Sequence, residues 1–172
     1  NAVEGMLVTL PADFATNPKN AAIVKAFQDK KRNPSLFVVF ESGLQMLADN
    51  PTLYYNNEDC IKFISSVPVL WDETKVLDAK LGEHLVLAKR NADKWYLGGM
   101  TAERKEPLEM DVVLDFLPEG KTYKLTSFED GSNADRQAMH YTKNVREVRK
   151  GDTVKIRMVR NGGYAASLEA SL

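Results

Sequence analysis

At Val67-Pro68 the chain changes its hydrophobic rhythm, and no single helix or strand can run through the change. Ahead of it, apolar residues recur at helical spacing. Beyond it, apolar and polar residues tend to alternate, and Gly, Pro, Asn and Asp interrupt at short intervals. The expected fold is therefore α+β, a short helical segment followed by an antiparallel β-sandwich. Two regions are expected, a helical segment over residues 1–74 and a sandwich over residues 75–172.

In the first region the spacing predicts a helix over 17–32, with Asn17 as N-cap, Pro18 in the first turn and Ile23, Val24 and Phe27 on one face. Lys30, Lys31 and Arg32 suit its C-terminal end. A second helix is expected over 34–42, where Leu36, Val39 and Phe40 repeat at helical spacing and Gly43 can end it. Phe37-Val38-Val39-Phe40 is also β-prone, so a buried strand is the alternative. A short strand over 44–47 and a turn at Ala48-Asp49-Asn50-Pro51 follow. A helix over 57–65 comes next, with Asn57 as its cap, Glu58 and Asp59 in its first turn, and Ile61 and Ile64 facing inward.

Strands are expected over 83–89, 95–100, 108–114, 123–129, 144–148, 153–159 and 164–168. Turn chemistry stands between them at Asn91-Ala92-Asp93, Pro118-Glu119-Gly120-Lys121, Lys150-Gly151-Asp152 and Asn161-Gly162-Gly163. Connections this short cannot make the long crossovers that parallel strands need, so the sheet must be antiparallel. Seven or eight short strands with such turns indicate a Greek-key sandwich.

Composition removes several classes of function. The 23 Lys and Arg nearly balance the 24 Asp and Glu, leaving no basic field for nucleic acid or anionic lipid. No apolar run approaches the roughly 18 residues of a membrane span. Cys60 is the only cysteine, which excludes an internal disulfide and a Cys-rich zinc site; among Ile61, Phe63 and Ile64 it reads as a small buried residue. Asn1-Ala2 reads as the remnant of a removed purification tag, so a piece of a longer protein is expected.

From Ser35 onward the ordered series Val67-Pro68, Trp71-Asp72-Glu73-Thr74, Trp95-Tyr96, Gly98-Gly99-Met100-Thr101, Asp130-Gly131, Asn133-Ala134-Asp135-Arg136 and Gly162-Gly163-Tyr164 resembles glycoside hydrolase family 97. The resemblance implies the last elements of a (β/α)8 barrel followed by the C-terminal sandwich of an α-glucosidase or α-galactosidase. A complete barrel needs about 250 residues, which 172 cannot supply. The implied parent cleaves α-glycosidic bonds with a glutamic acid and a partner carboxylate, uses calcium near the sugar, and works in the periplasm or outside the cell. Its catalytic carboxylates belong to earlier barrel elements, so this piece is expected to lack them and to support the upstream barrel and subunit contacts in a homo-oligomer. Residues 3–32 do not match the family; an insertion, a joined fragment and a divergent stretch all remain open.

Few residues are candidates for chemistry. Asp49, just past the last barrel strand, is the candidate for touching sugar, against a turn-capping role. Glu41 lies near a helix end, where a structural or solvated role competes with catalysis. Asp72 and Glu73 sit beside Trp71 as a sugar site would require, yet neighbours on an extended segment point to opposite faces, which favours a structural role. His84 and His140 have no metal-ligand spacing, and Asp130 to Asp135 lacks the closing glutamate of a calcium loop. Two other functions stay in view. One is a stand-alone sugar-binding sandwich, which needs exposed coplanar aromatics; the other is a small complete enzyme using Glu41, Asp49 or Glu73.

Overall fold

A computed structural model describes residues 34–41, 52, 55–137 and 140–171. The helix expected over 17–32, the strand over 44–47 and the turn holding Asp49 lie outside the described residues. Among the described residues, helices α1 (Ser35–Val39) and α2 (Glu58–Ser66) precede eight strands: β1 (Glu73–Lys80), β2 (His84–Asn91), β3 (Lys94–Thr101), β4 (Leu108–Val113), β5 (Thr122–Asp130), β6 (Tyr141–Arg149), β7 (Thr153–Met158) and β8 (Gly163–Ala170). All seven expected strands are present within a few residues. The helix reading of the Phe37–Phe40 stretch holds over the strand reading, although α1 stops before Gly43 because Phe40 is already extended.

Six strands form one antiparallel sheet in the order β1-β2-β3-β8-β5-β6, and β4 pairs with β7 in a second, two-stranded sheet. The first three strands follow one another by hairpins. The chain then visits the small sheet twice, at β4 and at β7, laying β5 and β6 in the large sheet between these visits, before β8 closes the large sheet between β3 and β5. The turns carry the positive φ that tight reversals demand, at Ala92 and Asn161 as well as at Gly82, Gly120 and Gly151.

Between the two sheets lies an apolar core of Val86, Ala88, Trp95, Leu97, Leu114, Tyr123, Leu125, Ile156, Met158, Tyr164 and Leu168 with their neighbours. The other face of the large sheet is also covered. Val38 and Val39 of α1 and Cys60, Phe63 and Ile64 of α2 pack there on Leu87, Tyr96, Phe128 and Ala165. Alternate residues of β2, β3 and β8 thus enter two different cores, and these central strands are apolar on both faces. Gly98 permits the close approach of α1, because a Cβ there would stand 2.9 Å from both Val38 Cγ1 and Val39 Cγ2.

Three details differ from the sequence expectation. β1 was not among the expected strands: Val76 and Leu77 are its only large apolar residues, and it begins at Glu73. Asn57 precedes α2 without a capping hydrogen bond from its side chain. The inward face of α2 is Cys60, Phe63 and Ile64, with Ile61 turned partly aside.

Candidate functional site

The most heavily functionalised place in the described structure is the contact between the helices and the large sheet. Lys89 stands on β2 among apolar residues and is only 1% exposed. Its Nζ donates to the Val39 carbonyl at 3.3 Å and to Glu41 Oε1 at 3.1 Å, and lies 5.3 Å from the centre of the Trp71 ring. A buried ammonium needs its donors used, and here one carbonyl at the end of α1, one carboxylate and one π face share them. Trp71 in turn packs edge-on to Tyr96 at 5.4 Å, and the Tyr96 hydroxyl donates to the Ser66 carbonyl at 2.8 Å. Each of these polar contacts ends on the helical segment or on Trp71, which ties both helices to one sheet face.

Around Cys60 the same face carries aromatic packing. Phe63 lies 5.1 Å from Phe128, and Phe128 lies 5.8 Å from Tyr141. Burial pushes the Cys60 thiol up from its ordinary value. Burial, followed by the hydrogen bond with Cys60, pushes the Tyr141 phenol to about 12. Neither group is an accessible nucleophile at neutral pH.

Of the carboxylates weighed from the sequence, Glu41, Asp72 and Glu73 lie among the described residues; Glu41 is engaged apart from the other two, which share Arg90. Glu41 is 58% exposed and pairs with Lys89. Glu73 is bound by Lys75 at 3.1 Å and by Arg90 at 3.3 Å, and these hydrogen bonds hold its carboxyl below the usual range. A carboxyl held ionised in this way cannot serve as a general acid near neutrality. Asp72 Oδ2 accepts the Ala92 N–H at 2.7 Å and so fixes the β2–β3 turn. The structural reading of the Trp71-Asp72-Glu73 stretch is the one its contacts support.

His84 and His140 are not brought together. The first meets Asp78 at 3.1 Å from β2, and the second precedes β6. Asp130, at the end of β5, accepts the Val159 and Gly163 N–H groups at 2.9 and 3.1 Å. It thereby holds the β7–β8 turn, and a side chain on Gly162 would collide with its carboxylate. The Asp130-Gly131 and Gly162-Gly163 motifs are thus two halves of one clamp. No three His, Cys, Asp or Glu side chains gather as a cation would need among the described residues, so those residues do not fit the calcium implied for the parent.

Sequence reasoning passed over Lys89. A lysine directly after Leu85-Val86-Leu87-Ala88, on the same face as Leu85 and Leu87, is the signal that could have found it, because a strand apolar on both faces gives a cation little access to water.

Residues 70–169 match the family model of the glycosyl-hydrolase 97 C-terminal, oligomerisation region, which is more than half of the chain. The chain belongs to glycoside hydrolase family 97. Over 138 residues it is 38% identical to the retaining α-galactosidase of Bacteroides thetaiotaomicron, a match covering 80% of this chain and 20% of that protein. The family 97 enzyme of Pseudoalteromonas sp. strain K8, solved with panose or acarbose, superposes with a TM-score of 0.75 at 32% identity over 81% of this chain and 22% of that one. A β-arabinopyranosidase superposes with a TM-score of 0.63 at 28% identity, covering 77% of this chain and 20% of the other. The chain spans about a fifth of the length of these relatives. It carries the C-terminal module of a family 97 glycoside hydrolase, with an upstream catalytic domain implied.

Proposed function

We propose that the parent protein hydrolyses α-galactosidic or α-glucosidic bonds, and that this chain serves it as a scaffold and as a contact between identical subunits. The observation that carries the scaffold reading is the engagement of Glu41 by Lys89, of Asp72 by the Ala92 N–H, and of Glu73 by Lys75 and Arg90. Hydrolysis needs two carboxyl groups facing one bond across a gap of about 5–10 Å, one of them able to give a proton. The similarity to a retaining α-galactosidase favours α-galactosides and retention for the parent. On this reading the two catalytic carboxylates and the calcium of the parent belong to its upstream domain, in the periplasm or outside the cell. Asp49, on the barrel side of the sequence, keeps its proposed role of touching sugar at the rim of that domain.

The sugar-binding alternative gains less support. Tyr55 is the one largely exposed aromatic among the described residues, and it precedes the sandwich. Trp71, Trp95 and Tyr96 are engaged in packing instead.

Hydrolysis of aryl α-galactoside and aryl α-glucoside by the purified, folded chain, with calcium and with a chelator, tests the proposal. No turnover is expected under either condition. Turnover that disappears in Glu41→Gln, Asp49→Asn or Glu73→Gln would place the chemistry in this chain and overturn the scaffold reading.

A further inference from the structure

Among the described residues two strands, β1 and β6, end the large sheet with no further strand paired to them. An exposed edge is a template for another strand and is ordinarily blunted by charge, by bulges or by a cover. Around β1 the apolar exposure is concentrated: Val69, Leu70, Val76 and Leu81 are four of the seven large apolar side chains exposed among the described residues. The charges of β1 are two of each sign, Glu73 and Asp78 against Lys75 and Lys80. β6 carries Lys143, Arg146 and Arg149 against Glu147 alone, so each of two copies would bring a net positive strand to the pairing, whereas β1 is balanced.

The order of charges on β1 complements itself. A register shift between Val76 and Asp78 leaves Leu77 as an extra residue. Opposite residues of neighbouring strands share a face, and Lys75 and Asp78 stand opposite Ala88 and Val86 of the inter-sheet core. Glu73 and Lys80, opposite Arg90 and His84, share that same face. Without the extra residue, Lys75 and Asp78 would point to opposite sides. With it, an antiparallel pairing of β1 with a second copy, centred on the bulge, sets Lys75 against Asp78 and Glu73 against Lys80 on one face. Both pairs occur twice by symmetry, and Thr74 meets Ala79 on the other face. The same register brings Leu81 of one copy level with Asp72 of the other, beside exposed Val69 and Leu70.

We propose that β1 is the surface through which two copies of this chain join, edge to edge and antiparallel about the Leu77 bulge, making one continuous sheet across the pair. Such joining deepens the subunit-contact reading given above and rests on it. A bulge commonly protects an edge; here it brings the charges into the order that a twofold pairing needs.

Sedimentation velocity of the 172-residue chain over a range of concentrations tests the assignment, with thermal melts to verify that each variant is folded. The wild-type chain should self-associate. Lys75→Glu and Asp78→Lys, which each set like charges opposite one another, should each raise the dissociation constant about tenfold or more. An equal mixture of the two variants should associate as the wild type does, because each now offers the other its complement. Should either of these fail to fold, Val76→Lys alters an exposed side chain at the centre of the edge and should weaken association similarly. Arg146→Glu on β6 should change nothing. Undiminished association of the β1 variants, or a loss confined to the β6 variant, would overturn the strand assignment while leaving subunit contact in place. A strictly monomeric wild-type chain would overturn both.

Discussion

The two faces of the large sheet are closed in different ways. One meets β4 and β7 through a core of aliphatic and aromatic side chains supplied by the strands and by the segment that follows β4. The other meets α1 and α2, and there apolar packing is combined with directional contacts: Lys89 to Val39 and Glu41, and Tyr96 to Ser66. Non-directional burial closes a sandwich wherever shapes agree, whereas buried hydrogen bonds select one partner in one orientation. The first face is a self-contained core. The second is a joint, built to hold the helical segment in register with the sandwich.

The largest expected effect comes from breaking the self-contained face. Leu97→Ala removes a fully buried side chain from its centre and should lower stability by about 2–5 kcal/mol, read from denaturant unfolding. Gly98→Ala acts on the joint from the adjacent residue. Its new methyl meets Val38 and Val39, so a loss of about 1–3 kcal/mol is expected, together with faster hydrogen exchange in α1. Lys89→Met keeps the bulk but leaves the Val39 carbonyl without its donor. Because Glu41 can turn to water, the cost should be only about 1–2 kcal/mol, and melting should remain cooperative.

An alkaline titration sharpens the contrast further. Folded Tyr141 keeps its proton to about 12, while an unfolded tyrosine gives it up near 10. The unfolded chain therefore binds fewer protons above about pH 10, and stability must fall there. The contribution of Tyr141 is complete below about pH 10 and lost as pH rises through about 12. Denaturant midpoints at about pH 9 and about pH 11 should differ less in Tyr141→Phe than in the wild type.

The strands were legible because alternation and turn chemistry are local. Asn91-Ala92-Asp93 and Asn161-Gly162-Gly163 mark reversals whatever surrounds them, and both reversals are observed. β1 escaped because an edge strand buries little, and its pattern is mostly charge. The joint escaped for another reason: Lys89 and Glu41 are 48 residues apart, and nothing local announces that they meet. The order of the motifs carried the family, since Asp130 with Gly162 makes one clamp from segments distant in sequence. Asp49 lies outside the described residues.

Cys60 provides a direct probe of the joint, being the only thiol in the chain and buried within it. Its rate of reaction with a thiol reagent can be followed through increasing denaturant and compared with global unfolding of the sandwich. If the helical layer is a joint on a self-standing core, labelling should begin at denaturant concentrations where the sheet remains fully folded, and its rate there should depend only weakly on denaturant. Labelling that follows global unfolding throughout, with the same steep dependence, would mean that both faces form one indivisible core and would contradict the distinction between them.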